Sequence, residues 1–431
     1  MSNFHSRHIA VIGAGIVGLC VAERLLSEGH RVTVVDPAAP GGAQAASYGN
    51  GAFISPASVL PMSAPGLWRQ VPKMLLDPTG ALSVRLRDLP GLLPWLWAFL
   101  RAGNRPGNVA RIAGDLNLLL RDAPARHAEL AARTGQSDLI RQTGLLYAFR
   151  DRAAWQAECS VWQIRAECGV VMEDCTAARL RALAPDLSSD YGFGILISEG
   201  AHCVDPGGYV AGLARYLTVS GAELRQDRVL GLDLSGGQLR GLRCAGGDLP
   251  CDRAVIAAGI ASAPFATEAG DRLPLAAERG YHVEIADVPF RLDVPVMPQD
   301  GKMANVTTRG GLRAAGQVEI AVPDAPPNWA RAEVLLSHLK RSYPALAGRS
   351  HDLKRWMGCR PSMPDGKPVI GRASAVPEVI HAFGHGHVGL ASAPATAEIV
   401  ADLIAGRPPR RDSAPFSPAR FGCGVALRGP T

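Results

Sequence analysis

Near the N-terminus, "HIAVIGAGIVGLCVAERLLSEGHRVTVVDP" places Gly13, Gly15 and Gly18 between an apolar strand-like run and a helix-periodic stretch. His8–Gly15 reads as a buried strand entering a turn, Val17–Gly29 as a helix, and Arg31–Pro37 as a second strand. Together they form one βαβ unit of about thirty residues. The first glycine permits the tight turn, the second lets backbone approach a pyrophosphate, and the third allows close helix–strand packing. The open N–H groups of the helix start, at Ile16 and Val17, then face the phosphates. Asp36, eighteen residues beyond Gly18 and followed by Pro37, stands where a carboxylate accepts ribose hydroxyls. An acid there favours an unphosphorylated adenosine ribose, hence NAD or FAD rather than NADP. The firmest expectation is therefore a dinucleotide-binding α/β fold.

The rest of the chain has to be built around that unit. At 431 residues and 47% hydrophobic, it is long enough for two domains. Its net charge of +6 comes from scattered Lys and Arg, apart from "RPPRR" at 407–411, so no basic stripe points to nucleic acid. A mildly basic balance suits an enzyme that attracts carboxylates. Nine cysteines, none in a C-x-x-C pair, predict reduced thiols in a cytoplasm-like compartment, and the N-terminal run reads as no signal peptide. The apolar "LPGLLPWLWAFL" (89–100) is too short and proline-rich to span a bilayer. It reads as a buried or cleft-covering helix, with a membrane-surface anchor as the alternative that its two Trp suit.

Helical patterns are expected around 111–134, 154–169, 204–221 and 330–342, with a strand at 144–150. A β-meander between 222 and 258 ends in an apolar strand, and 281–322 is again strand-rich. Because nucleotide-type elements recur at the start, middle and end, the cofactor domain is expected to be discontinuous. It is assigned residues 1–88, 203–275 and 355–431, with a substrate domain at 89–202 and 276–354. The fold class is a Rossmann-type α/β domain carrying an inserted α+β domain on a mixed antiparallel sheet.

Three further motifs carry a resemblance. "SYGNGAFISP" (47–56), "WMGCRPSMPDGKPVIG" (356–371) and "AFGHGHVG" (382–389) occur in the order and spacing of the FAD-dependent D-amino acid oxidase family. The sequence most closely resembles the bacterial D-amino acid dehydrogenase branch of that family. The resemblance implies FAD as cofactor, with Ser47, Asn50 and Gly51 beside the flavin ring. It places the "IAAGIAS" turn, including Ala258 and Gly259, near the flavin phosphates, and Val229 at the start of the meander with the cofactor. It makes Gly384, His385, Gly386, His387, Val388 and Gly389 a second flavin-binding stretch. The residues support this independently: a glycine-rich helix start offers N–H groups and a positive dipole end to the flavin edge that becomes negative on reduction.

For the chemistry, the resemblance makes Arg360 the anchor of the substrate carboxylate, a task suited to a guanidinium fork. Tyr281 is a second candidate anchor, and His387 a candidate contact to substrate or flavin. His282 should alternate to the face opposite Tyr281 if that strand is regular. The histidine pair lacks a supporting carboxylate or cysteine cluster, so no metal is expected. Cys359 is expected to be a packed thiol rather than a covalent flavin attachment, and Asp205 a helix cap. The expected reaction is oxidative deamination of a D-amino acid to a 2-oxo acid and ammonia. Hydride leaves Cα for flavin N5, and electrons pass to a quinone-type acceptor. Alternatives are a secondary amino acid substrate (D-proline, hydroxy-D-proline, sarcosine or glycine type) and a flavoprotein subunit of a larger electron-transfer complex. Further partners left open are the inner membrane surface and a second copy of the chain.

Overall fold

The computed structural model describes residues 6–63, 80, 82–105, 107–348 and 352–422. A six-stranded sheet starts from the βαβ unit. Its strand order is Glu223–Gln226, Arg31–Asp36, His8–Ile12, Arg253–Ile256, Val379–Phe383 and Val369–Arg372. The first five run parallel and the last is antiparallel. Parallel strands buried on both faces read as unbroken apolar runs, which is how "AVI" and "AVI" at the two central strands are written. The helix Gly389–Ala405 packs across the first helix, Ile16–Ser27, and the helices Asn108–Leu120 and Ala123–Arg133. Its Leu390, Ile399, Val400 and Ile404 are buried, each contributing about 1.5–3 kcal/mol of apolar transfer. Residues Gly386–Ala405 are apolar and long enough to cross a membrane by composition, yet most of this stretch lies inside the protein as a core element.

The second body is a nine-stranded mixed sheet. Its core runs Leu353–Ser362, Ala276–Ile285, Gly311–Ile320 and Ala304–Thr308 in antiparallel order, continued by Val296–Pro298, Leu145–Phe149, Phe193–Ile197 and Glu173–Thr176. A three-stranded antiparallel meander over 229–250 flanks the parallel sheet. The mixed sheet and discontinuous parallel sheet are those the sequence led us to expect.

Three local expectations change. The helical pattern over 111–134 is two helices, because Pro124 cannot continue a helix through the carbonyl of Leu120. The "WMGCRPSMPDGKPVIG" run, expected wholly within the nucleotide part, straddles the junction. Leu353–Ser362 pairs along its length with Ala276–Ile285, while Val369–Arg372 joins the parallel sheet. The strand Leu82–Val84, also placed with the nucleotide part, pairs with Gly311–Ile320.

The C-terminal basic cluster is consumed by the fold. Arg407 pairs with Glu28 and Asp402, and the buried Arg411 with Asp122 and Glu398. That leaves little of "RPPRR" as a docking surface.

Candidate active site

The residues expected to hold the dinucleotide sit at the C-terminal ends of parallel strands, where α/β sheets bind ligands. Gly13 follows His8–Ile12, Asp36 ends Arg31–Asp36, Ala258 and Gly259 follow Arg253–Ile256, and Gly384 follows Val379–Phe383. Gly13 has φ of 106°, and a Cβ there would stand 2.5 Å from the Ala257 carbonyl oxygen. A Cβ on Gly18 would stand 2.0 Å from the carbonyl oxygen of Gly13. A Cβ on Gly15 would meet nothing nearer than Ser47 Oγ at 3.5 Å. The first and third glycines thus permit the turn, while the second leaves space open beside the helix start. Ser47 Oγ accepts from the Ile16 N–H at 3.1 Å, and Val17 lies half-buried in the same turn. Asp36 bridges two loops, accepting from the Ala14 N–H at 2.8 Å and the Ala38 N–H at 2.9 Å, with Pro37 between. Val229 is buried among the meander residues below.

The segment 47–52 is held from the other sheet. His282 Nδ1 lies 3.0 Å from the Gly49 carbonyl oxygen, and Arg313 donates to the carbonyls of Tyr48 and Asn50. Asn50 spends its side chain on its own turn, donating to Ser47 O and accepting from the Ala52 N–H. The backbone of Asn50 and Gly51, rather than the amide, is what this turn presents; Gly51 packs against Ala304.

At the end of Val379–Phe383, Gly384 has φ of 82° and lies against Met363. A bridge between Ser362 and His385 joins this turn to the strand that carries Arg360. His385 is buried, its Nε2 3.0 Å from Thr396 Oγ1 in the following helix, and burial holds its pKa down at about 3. It braces the turn rather than reaching into it. Gly386–Val388 forms one 3-10 turn before the helix beginning at Gly389, and no side chain caps that helix. Its positive end therefore meets no capping side chain. His387 is exposed, yet the surrounding protein, and then the Arg360 charge, depress its pKa to about 4. At neutral pH it is a neutral ring beside a cation.

Arg360 lies directly opposite Glu278 on the neighbouring strand. Its guanidinium leans over Gly280, where a Cβ would stand 2.5 Å from Nη2. Side chains alternate along a strand, so Glu278, Gly280 and His282 share the Arg360 face, while Arg279 and Tyr281 take the other. Arg360 is part-buried and makes no hydrogen bond or direct ion pair among the described residues. Burial works against its charge and Glu278 supports it.

Tyr281 is not brought to this face. Its hydroxyl donates to Glu319 Oε2 at 2.6 Å and accepts from the Asn328 N–H at 3.0 Å, inside an apolar cluster. The buried Arg279 completes that network at 3.2 Å from Glu319. Alternation was legible in "RGYHVEI"; which face meets Arg360 was not. Tyr281→Phe should therefore cost about 1–3 kcal/mol of stability, by leaving Glu319 and the Asn328 N–H short of a partner. KM should move less than about twofold. Chemical denaturation beside steady-state kinetics checks this; a large KM rise at unchanged stability would put the phenol back in the site.

Cys359 also points to the Tyr281 face, 3.8 Å from the Pro323 carbonyl, with burial pushing its thiol pKa up. It is a packed thiol. Asp205 caps its helix, accepting from the Gly208 N–H at 2.8 Å. No metal-ligating cluster occurs among the described residues.

Sequence reading missed three residues on the Arg360 face. His282 stacks on Trp356 at 5.1 Å while bonding the 47–52 segment. Glu278 is buried beside Arg360. Trp95 donates its indole N–H to the Ser362 carbonyl at 3.3 Å. It belongs to the helix Leu89–Asn104, whose Leu92, Trp95 and Phe99 pack on Ala276, Val318 and Ile320. That is the cleft-covering helix; its outer face exposes Leu93 and Trp97.

This geometry meets the requirements of a bound FAD. Crowded glycines shape a tight turn, Asp36 ends its strand where a ribose contact was expected, and an uncapped helix start adjoins a guanidinium. Comparison with known proteins agrees. A family model described as FAD dependent oxidoreductase (DAO) matches residues 8–403. The D-amino-acid oxidase of Bradyrhizobium diazoefficiens is 45% identical over 417 residues, 96% of this chain and 99% of that protein. The D-amino acid dehydrogenase of Paramagnetospirillum magneticum is 31% identical over 414 residues, 93% of this chain and 95% of that protein. Among solved structures, glycine oxidase from Geobacillus kaustophilus superposes with a TM-score of 0.72 at 21% identity, covering 97% of this chain and 99% of that one. With sheet order, glycine cradle and family match in agreement along nearly its whole length, the chain belongs to the DAO family of FAD-dependent oxidoreductases.

Proposed function

We propose that this protein oxidises D-amino acids to 2-oxo acids and ammonia with FAD, and that Arg360 and His387 form the substrate site. The observation that carries the reading is an Arg360 guanidinium held at the junction of the two sheets without an ion-pair partner, beside an uncapped helix start. Relatives of similar length, named D-amino-acid oxidase and D-amino acid dehydrogenase, support the substrate class.

When bound, the flavin supplies the two-electron oxidant for the Cα–H bond. The chain supplies position. Arg360 takes the substrate carboxylate through its fork and so fixes the direction of Cα. The neutral His387 ring accepts a hydrogen bond from the substrate amine without adding positive charge next to the anchor. The helix start at Gly389 favours negative charge on the cofactor edge it faces. Trp95 and its helix cover the site and limit water, leaving the imine product to hydrolyse once released. Residues 6–63, 203–275 and 369–422 are proposed as the cofactor-binding part, with the nine-stranded sheet, Leu82–Val84 included, as substrate part. Electrons pass to a quinone-type acceptor, and the exposed Leu93 and Trp97 suit contact with the membrane surface where such acceptors reside.

Anaerobic mixing of the FAD-loaded protein with a panel of D- and L-amino acids, glycine, sarcosine and D-proline tests this. D-amino acids should bleach the flavin band near about 450 nm. Bleaching by no amine would sink the enzymatic reading, and bleaching only by secondary amines would move the substrate class. Reoxidation of the bleached protein by air against a soluble quinone identifies the acceptor.

A further inference from the structure

Glu278 plays no part in the chemistry described so far, yet it is 3% exposed on the face that carries Arg360. Its rung of the sheet is Ile320, Glu278 and Arg360 in order. On the same face stand Gly280 along its own strand and Ser362 along the next. The covering helix packs the apolar Leu92, Trp95 and Phe99 against the flanking residues Ala276, Val318 and Ile320. Among the described residues Arg360 is the one ionisable group acting on Glu278, and the two make no direct ion pair. A buried carboxylate without a close cation is costly unless something compensates it.

We propose that Glu278 is the counter-charge of the carboxylate anchor, and that it takes one proton from solvent when a substrate carboxylate arrives at Arg360. In the ligand-free site, one guanidinium is balanced by one carboxylate on the adjoining strand. A substrate carboxylate brings a second negative charge to the same cation in a covered site. Two carboxylates cannot share a single buried cation without cost, so one becomes neutral. The substrate is the one seated on the guanidinium, so the proton goes to Glu278. The balance is one carboxylate bound, one proton consumed and Glu278 neutral. Burial already raises the Glu278 pKa; the Ser362 hydroxyl, and after it the Arg360 charge, oppose that rise, and the substrate offsets the Arg360 part.

The sign follows. Below the free-site pKa of Glu278 the group is already neutral and binding takes up no proton. Between the free-site and ligand-bound values binding takes up one. In that window affinity falls about tenfold per unit rise in pH.

This rests on Arg360 being the carboxylate anchor, and the test separates the two claims. Benzoate, a carboxylate with no amine to oxidise, is titrated into FAD-loaded protein and followed by the flavin spectrum. Proton uptake is read by calorimetry in two buffers of different ionisation enthalpy, from about pH 5.5 to about pH 9. The wild type should take up close to one proton per benzoate over part of that range. Glu278→Gln should take up none, show a flat affinity profile, and bind more tightly than wild type at the high-pH end. Absence of uptake at every pH in the wild type would overturn the proposal even if Glu278→Gln failed to fold. So would uptake that survives in Glu278→Gln, and loss in His387→Asn would then assign the proton to the other ring in the field of Arg360. Benzoate binding that is equally tight in Arg360→Met would instead remove the anchor.

Discussion

Arg360→Met should raise KM for a D-amino acid at least about tenfold, and about a hundredfold if both arms of the fork are used. A hydrogen bond to a charged group contributes about 1.5–3 kcal/mol, which is one to two decades in KM when the contact is lost. Flavin content should not change, since the guanidinium lies over Gly280 of the substrate sheet and not in the glycine cradle. Arg360→Lys keeps the charge but not the planar fork, so it should fall between the two. The informative comparison is kcat against KM. If Arg360 merely held the two strands together, the Met variant would lose stability and flavin together while the remaining active fraction kept its KM. An unchanged KM in a stable, flavin-loaded variant would take Arg360 out of the site.

Gly18→Ala should give a protein almost without flavin. The added Cβ would stand 2.0 Å from the Gly13 carbonyl oxygen, a backbone atom that cannot swing aside, so the helix start must move off the turn. Overpacking of this kind costs about 1–3 kcal/mol or more, at the element that presents N–H groups to the pyrophosphate. Gly15→Ala is the contrast. Its Cβ meets only Ser47 Oγ at 3.5 Å, so the apoprotein should fold with near wild-type stability. The methyl would nevertheless fill the open space that the cofactor backbone needs, and FAD affinity should drop. Flavin-to-protein absorbance ratios with apoprotein melting curves separate the two. A fully loaded Gly18→Ala protein, or an unstable Gly15→Ala one, would contradict the division of labour among these glycines.

Much of this molecule was legible because its constraints are local. Gly13, Gly18 and Asp36 answer to the geometry of one βαβ unit, and their spacing alone predicts the turn. The alternation of Tyr281 and His282 is equally local. The face they present is not, because it depends on which side of Ala276–Ile285 receives the 47–52 segment, two hundred and more residues away. Tyr281 therefore went to the Glu319 network and His282 to the cleft. His385 is similar: the glycines around it announce a turn, while its bond to Thr396 depends on how the helix closes on itself. Glu278 carried no signal, since a glutamate beside an arginine in "AERGYH" reads as an ordinary charged strand edge until the covering helix buries it. The boundary within 356–371 was misplaced because one motif serves two sheets.

That shared motif has a mechanical consequence. The strand bearing Arg360 ends at Ser362, and Ser362 is bridged to His385, the residue that opens the second glycine turn. The gap between the proposed substrate anchor and the second glycine turn is thus gauged by a few residues of continuous, hydrogen-bonded backbone. The helix Leu89–Asn104 is fastened to the same strand end by the indole bond from Trp95 to Ser362. The proposed anchor strand, the second glycine turn and the covering helix thus meet at one residue, so a substitution that shifts Ser362 would disturb all three together.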